Sequence, residues 1–173
     1  MPDEPGPDDT VLVDTNVFVA VGGPDNTKYQ ALRAFATDHN LELHVPERVV
    51  EELRTMHAAD RVEQAVQAGW ARVVQPPEPT HSDAIAAMDH VRRTIASRSD
   101  KDEHKVEKAD TVFAGLAIEY LHRHDNAVFV VTDDRVAAAA ISESLAARGA
   151  ADRVAVLTRD DVFDDDDDDI RMI

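Results

Sequence analysis

What most constrains this chain is a series of short apolar runs, each too short to be a helix and each separated from the next by helical spacing. Val11-Leu12-Val13 runs without interruption into Asp14, and Ala127 to Val131 and Val154 to Leu157 have the same character. A strand with no alternation of apolar and polar residues is one buried on both faces, as in a parallel sheet. Leu41 to Val45 reads as a further strand, and Ala71 to Val74 as a brief strand or extended segment. Helices fill the gaps. After the break at Gly22-Gly23-Pro24, Asn26 is placed to cap a helix carrying Tyr29, Leu32, Phe35 and Ala36 at helical spacing. Pro46 opens another at its first turn, with Val49, Leu53 and Met56 on one face. Asp60 to Ala68 is helical and ends at Gly69, and Pro76, Pro77 and Pro79 force a loop. Helix resumes near Ser82, a charged stretch follows from Ser97 to Lys108, and Val106, Phe113, Ala117 and Leu121 form the stripe of the next helix. Arg135 to Ala147 is an alanine-rich helix. Strands alternating with helices predict a parallel sheet with right-handed crossovers, covered on both faces.

Charge divides the 173 residues into a body and two ends. The net charge is −17, yet between Thr10 and Arg159 there are 23 acids against 17 bases, a net of −6. The rest lies in an acidic stretch over residues 1–10 and another over 160–173, which includes the run Asp164 to Asp169. A run of that kind stays solvated and self-repelling, so we expect two acidic tails around one domain at 11–159. The bases are 14 arginines and four lysines. Acid excess with scarce lysine suits a concentrated-salt cytoplasm, where screening shortens charge repulsion to about 3 Å at 1 M salt, and a halophilic archaeal source is expected. The same balance excludes a general phosphate-neutralising surface, so any nucleic-acid substrate must be held by local geometry. Absence of cysteine excludes disulfides, thiolate zinc sites and cysteine nucleophiles. No apolar stretch approaches the roughly 20 residues of a bilayer span. The N-terminus has the reverse of a signal peptide's order, which gives a cytoplasmic expectation.

Four acids stand where acids are expensive. Ligands of open α/β sheets sit beyond the carboxyl ends of the strands, where Asp14 and the pair Asp133-Asp134 are placed. Asp110 falls four residues after Val106 and three before Phe113, on the stripe facing the sheet, and is expected to be largely buried. Glu52 shares a face with Val49 and Met56, whereas Glu51 points elsewhere. An ionised carboxylate without a partner costs several kcal/mol to bury or shifts its pKa. No lysine or arginine recurs at matching positions, so convergence of these acids calls for a cation. Oxygen ligands without cysteine or clustered histidine favour Mg²⁺ or Mn²⁺ over Zn²⁺. Such a cluster suits metal-assisted attack of water on a phosphodiester, with Asn16 adding an oxygen or orienting the water. Whether Glu51 or Glu52, and Asp133 or Asp134, is the ligand stays open at this level. Trp70 reads as a packing group rather than a base-stacking platform, and Arg48, Arg54 and Arg135 lie near the acids.

Val11-Leu-Val-Asp-Thr-Asn-Val-Phe, Val45-Pro-Glu-Arg-Val-Val-Glu-Glu-Leu, Lys108-Ala-Asp-Thr-Val-Phe-Ala-Gly-Leu-Ala and Val130-Val-Thr-Asp-Asp-Arg resemble, in order, the four acidic motifs of the PIN-domain nucleases. The resemblance covers about residues 11 to 157. It implies a three-layer α/β/α sandwich with a central parallel sheet and Mg²⁺- or Mn²⁺-dependent cleavage of RNA. Motif matching gives Asp14, Glu52, Asp110 and Asp134 as the catalytic and metal-binding acids, Asp133 as a further metal candidate, and Asn16 and Thr132 as supports. Many members are toxins of toxin–antitoxin pairs, so the resemblance also implies a homodimer and a small antitoxin partner; others process ribosomal RNA. The charged segment near Ser97 to Lys108 and the acidic ends depart from the compact toxin pattern. Two rival readings are kept. A haloacid-dehalogenase-like phosphatase is suggested by Asp14-Thr-Asn-Val, Lys108 and Asp133-Asp134, although that chemistry wants an acid where Asn16 stands. The other is a catalytically silent PIN module that serves interaction or regulation.

Overall fold

The computed structural model describes residues 4–75, 82–100, 102, 106 and 108–162, with the side chains of Lys108 and Ala109 excepted. Five strands, β1 (Thr10–Val13), β2 (Leu43–Pro46), β3 (Ala71–Val74), β4 (Val128–Val131) and β5 (Val154–Leu157), form one sheet in the order β3-β2-β1-β4-β5. Every pairing is parallel. The helices are α1 (Thr15–Val21), α2 (Thr27–Asp38), α3 (Glu47–Thr55), α4 (Asp60–Gln67), α5 (Ser82–Ser99), α6 (Lys108–Arg123), α7 (Arg135–Ala147) and α8 (Arg159–Val162). The chain winds outward from β1 to β3, then returns to β4 and winds the other way to β5. Right-handed crossovers therefore put α1 to α4 on one face and α5 to α7 on the other, giving three layers, α/β/α. α5, α6 and α7 pack on one another, and α6 lies against β2 and β4.

The reversal between β1 and β4 is the topological switch point, where ligands of open α/β sheets bind. Both strands there are apolar along their length: Val11, Leu12, Val13, Phe129, Val130 and Val131 are fully buried. Around them Phe18, Phe113 and Phe129 are the largest buried side chains. Asn26 accepts the Lys28 N–H and caps α2, and Gly69, at φ 87°, turns the chain from α4 into β3. Trp70 is buried edge-on to Tyr29 with ring centroids 5.4 Å apart, so it packs and does not present a stacking surface.

Three features differ from expectation. α1 is absent from the sequence reading because Thr15, Val17, Val19 and Val21 are β-branched and disfavour helix, yet burial of Thr15, Val17, Phe18 and Val21 overrides that preference. Met56 lies past the end of α3 and is 53% exposed, so only Val49, Val50 and Leu53 hold that helix to the core. Part of the expected N-terminal tail is built into the fold: Pro5 is buried, the Asp9 carboxylate accepts the N–H groups of Gly6 and Ala127, and Asn126 donates to the Asp8 carbonyl. At the other end α8 takes up Arg159–Val162, while the aspartate run lies outside the described residues, as does most of Ser97 to Lys108 beyond the end of α5. Among the described residues no helix is long and apolar enough to cross a membrane.

The burial pattern generates a paired prediction. Phe129→Ala leaves a cavity in the central layer and is expected to cost about 3–5 kcal/mol. Val73→Ala, on edge strand β3 and 42% exposed, is expected to cost less than about 0.5 kcal/mol. Denaturant unfolding of both variants at one fixed salt concentration measures the difference.

Candidate functional site

The site is assembled from the carboxyl ends of β1 and β4 and the helices that start there. Asp14 leaves β1 in extended conformation and caps α1, its Oδ1 accepting the Thr15 N–H at 2.7 Å. Its Oδ2 accepts the Thr132 hydroxyl at 2.7 Å, joining the ends of β1 and β4. The Thr132 oxygen in turn accepts the Asp134 N–H at 3.2 Å and the Asn16 side-chain amide at 3.4 Å. Thr15 projects toward α3, and its hydroxyl donates to Glu52 Oε2 at 2.6 Å. Two threonines therefore tether two further acids to the buried one.

Asp14 is only 4% exposed, and its carboxyl is pushed up from 3.8 to about 6. Burial is the largest cause; the bonds from Thr132 and Thr15 oppose it, and the charges of Glu52 and Asp134 add to it. Among the described residues the charges that act on it are both negative. Three carboxylates from β1, α3 and the β4–α7 turn thus stand within electrostatic reach of one another, which is the arrangement that a hard divalent cation relieves.

The other expected residues divide. Glu52, not Glu51, turns inward; Glu51 is exposed and pairs with Arg48 at 3.1 Å. Asp134 is exposed and caps α7, its Oδ1 accepting the Val136 and Ala137 N–H groups at 3.0 Å each. Asp133, the further metal candidate, is engaged with Arg159. Its Oδ1 accepts the Arg159 N–H at 2.8 Å and its Oδ2 faces Arg159 Nε at 3.5 Å, so its charge is spent on the start of α8. Asn16, expected as a support, braces the turn. Its Oδ1 accepts the Asp133 N–H at 3.1 Å and its amide points at Thr132, tying α1 to the β4–α7 turn.

Asp110 lies in the first turn of α6 and is half-buried instead of largely buried. The reason is length. α6 spans about 24 Å at 1.5 Å per residue, whereas four-residue strands span about 13 Å. The first turn of a helix longer than the strands it covers is less fully packed than its middle, which leaves Asp110 half-buried. Among the described residues no three acidic or histidine side chains already stand as ligands of a single ion. Two of the expected acids, Glu52 and Asp134, are linked to Asp14 through threonine residues. In donor chemistry, oxygen only and anionic, the set fits Mg²⁺ or Mn²⁺. Sequence reasoning missed Thr15, whose position inside Asp14-Thr15-Asn16 was the available signal, and Arg159, which carries no local signal.

The raised Asp14 pKa makes a signed prediction. Below pH 3.8 the group is neutral folded or unfolded; from 3.8 to about 6 the folded state holds the extra proton, so stability falls as pH rises; above 6 the full cost of the charge is present. Asp14→Asn is expected to stabilise the fold by up to about 3 kcal/mol at pH 8, with the gain gone below pH 4. Urea unfolding of both chains at the two pH values, in constant salt, tests it; a gain independent of pH contradicts the assignment.

Comparison with curated proteins finds no match, and comparison with solved structures finds none either. Comparison with protein-family models gives one described as the Halobacterial PIN domain, matched over residues 7–171 and therefore over nearly the whole chain. That match agrees with the high-salt origin read from the acid excess and scarce lysine. PIN domains are in general hydrolytic nucleases and typically use divalent metals. With its parallel five-stranded sheet and its acids gathered at the switch point, this chain belongs to the halobacterial PIN domain family.

Proposed function

We propose that the chain is a divalent-metal-dependent endoribonuclease that hydrolyses phosphodiester bonds at the carboxyl edge of the sheet. The observation that carries this reading is Asp14: a carboxylate whose ionisation is opposed first by its burial and then by the charges of Glu52 and Asp134. Asp14, Glu52, Asp134 and Asp110 would hold Mg²⁺ or Mn²⁺. When bound, such an ion lowers the pKa of water and stabilises charge on the leaving oxygen. The protein's own residues have separable tasks. Thr132 and Thr15 fix the two Asp14 oxygens and the Glu52 carboxylate; Asn16 and Arg159 hold the β4–α7 turn that presents Asp134. Asp133, committed to Arg159, does structural work. The phosphatase reading loses ground here, because Asn16 is occupied by the Asp133 amide and offers no proton to a leaving group.

Cleavage of an end-labelled single-stranded RNA by the full chain, with Mg²⁺, with Mn²⁺ and with chelator, tests the reading. Asp14→Asn, Glu52→Gln and Asp110→Asn are each expected to lower the rate on the order of a hundredfold or more, which is about 3 kcal/mol of barrier. Asp134→Asn keeps a helix-capping oxygen and removes the charge, so it is expected to lose activity without losing α7. Asp133→Ala is expected to reduce stability more than turnover. Cleavage that persists in chelator or in Asp14→Asn overturns the proposal, and a phosphorylated Asp14 trapped from a phosphate ester establishes the phosphatase instead.

A further inference from the structure

Edge strand β3 is flanked by two clefts of opposite character. On the α3–α4 side a cleft of about 360 Å³ is lined by Val50, Val62 and Val73 with Glu47, Glu51 and Glu63 against a single Arg54. On the α6 side a cleft of about 300 Å³ is bounded by Arg72 and Gln75 of the β3 segment and by Glu119, Tyr120 and Arg123 of α6. The first repels phosphate. The second does not, and in a body with more acids than bases it brings two arginines to one wall.

Register places this second cleft relative to Asp14. Leu12 is level with His44, His44 with Arg72, and Pro46 with Val74. Paired residues share a face, so Arg72 and Val74 lie on the same face as Leu12 and Asp14, two strands away. Two strand spacings of about 4.8 Å and a two-residue step back along the strand put the Arg72 backbone roughly 12 Å from that of Asp14. That is about three to four phosphate steps at the 3.4 Å rise of a stacked strand.

The donors are held in place. Glu119, buried to 5% exposure, grips Arg123 at 2.5 Å, while the arginine itself is about half exposed. A carboxylate engages part of a guanidinium's five-donor fork and orients the rest. Arg72 faces Glu42 at 3.5 Å with side chains 60% and 48% exposed, a loose surface pair of little worth and easily exchanged for a stronger anion. Tyr120 shares a 3.1 Å hydrogen bond with His44 and feels the charge of both arginines. His44 lies beneath, its pKa lowered to about 4 by burial, then by Arg72 and His124, so it is neutral near pH 7 and adds no charge. Long-range attraction is screened to about 3 Å at 1 M salt, so only forks at contact distance hold a phosphate there.

We propose that the β3–α6 cleft is a phosphate-binding track for single-stranded RNA, in which Arg72 and Arg123, with the Tyr120 hydroxyl, hold the backbone a few nucleotides from the bond being cut. The proposal rests on the ribonuclease reading for its substrate class and is tested apart from it. In the full chain carrying Asp14→Asn, binding of a short labelled single-stranded RNA is followed by fluorescence anisotropy over a series of KCl concentrations. Adding Arg72→Ala is expected to weaken binding about tenfold and to reduce the slope of log K against log salt by about 0.7, the value for one phosphate contact on a single strand. Arg123→Lys keeps the charge above Glu119, and so the fold, and is expected to weaken binding with the slope retained, because the fork is lost. Arg92→Ala, on an exposed pair with Asp89 in α5, is expected to change neither. With Asp14 intact, Arg72→Ala is expected to raise KM and leave kcat unchanged. Binding and salt slope equal in the Arg72→Ala, Arg123→Lys and Arg92→Ala chains overturn the track, even if RNA is cleaved at the acids. Loss of binding in Arg72→Ala with no cleavage under any metal sustains the track and removes the nuclease.

Discussion

A carboxylate buried where the sheet reverses its winding is the costliest element of this fold, and the surrounding residues are arranged around that cost. Asp14 is fixed in place by the strand that precedes it, since Val11, Leu12 and Val13 are fully buried and leave β1 no freedom to shift. It receives two short hydrogen bonds, and still burial outweighs them. A group whose charge is penalised by about two pKa units stores roughly 3 kcal/mol against folding, a large share of the 5–15 kcal/mol typical of a domain. Val or Thr at this position would relieve it. The retained acid is therefore evidence about chemistry, since stability alone favours its removal. Glu52 and Asp134 sharpen the point: a threonine hydroxyl holds the Glu52 carboxylate, another accepts the Asp134 N–H, and the charges of both acids oppose the ionisation of Asp14.

The sheet was legible because β1, β4 and β5 are continuous apolar runs and because glycine and proline mark several of its turns. Val154 to Leu157 and Arg135 to Ala147 agree with the structure at both ends, and Gly69 ends its helix as expected. α1 was illegible because four β-branched residues in seven speak for strand, and only the burial that three dimensions supply reverses them. At the acids, helical phase distinguished Glu52 from Glu51, since the second faces away on the same helix. Phase overstated the burial of Asp110, because periodicity locates a face and carries no information about where the sheet beneath that face ends. The pair Asp133-Asp134 was undecidable in sequence. What separates two adjacent acids here is Arg159, twenty-six residues beyond Asp133, whose amide and guanidinium both claim that carboxylate.

The preference for arginine over lysine has a structural use beyond charge. Arg61 donates to the carbonyls of Phe18 and Val19 at the end of α1, Arg148 to the Ser144 carbonyl, and Arg153 to the carbonyls of Leu121, His124 and Asn126 where α6 gives way to β4. The carbonyls of Phe18, Val19, Leu121 and Ser144 are helix-end acceptors that no intrahelical N–H reaches, and those of His124 and Asn126 lie in the loop that follows α6. A planar fork satisfies several at once, which an ammonium on a flexible stem does poorly. Such bonds act at contact distance and lie partly buried, so salt that screens surface pairs leaves them largely intact.

One helix connects the two ends of the functional argument. α6 carries Asp110 in its first turn and Tyr120 and Arg123 in its last, at the arginine cleft. Between them Val112, Phe113, Leu116 and Ala117 are buried, so the helix cannot slide along the sheet to alter that separation. Arg153 closes its carboxyl end against the loop into β4, fixing the start of the strand that ends at Thr132. The distance from acids to arginines is thus set by the length of a packed helix and the register of three strands, without dependence on any surface loop. A strand of RNA gripped at one end of this rigid frame would present its backbone at the other at a fixed offset, and the geometry would count nucleotides whatever their sequence.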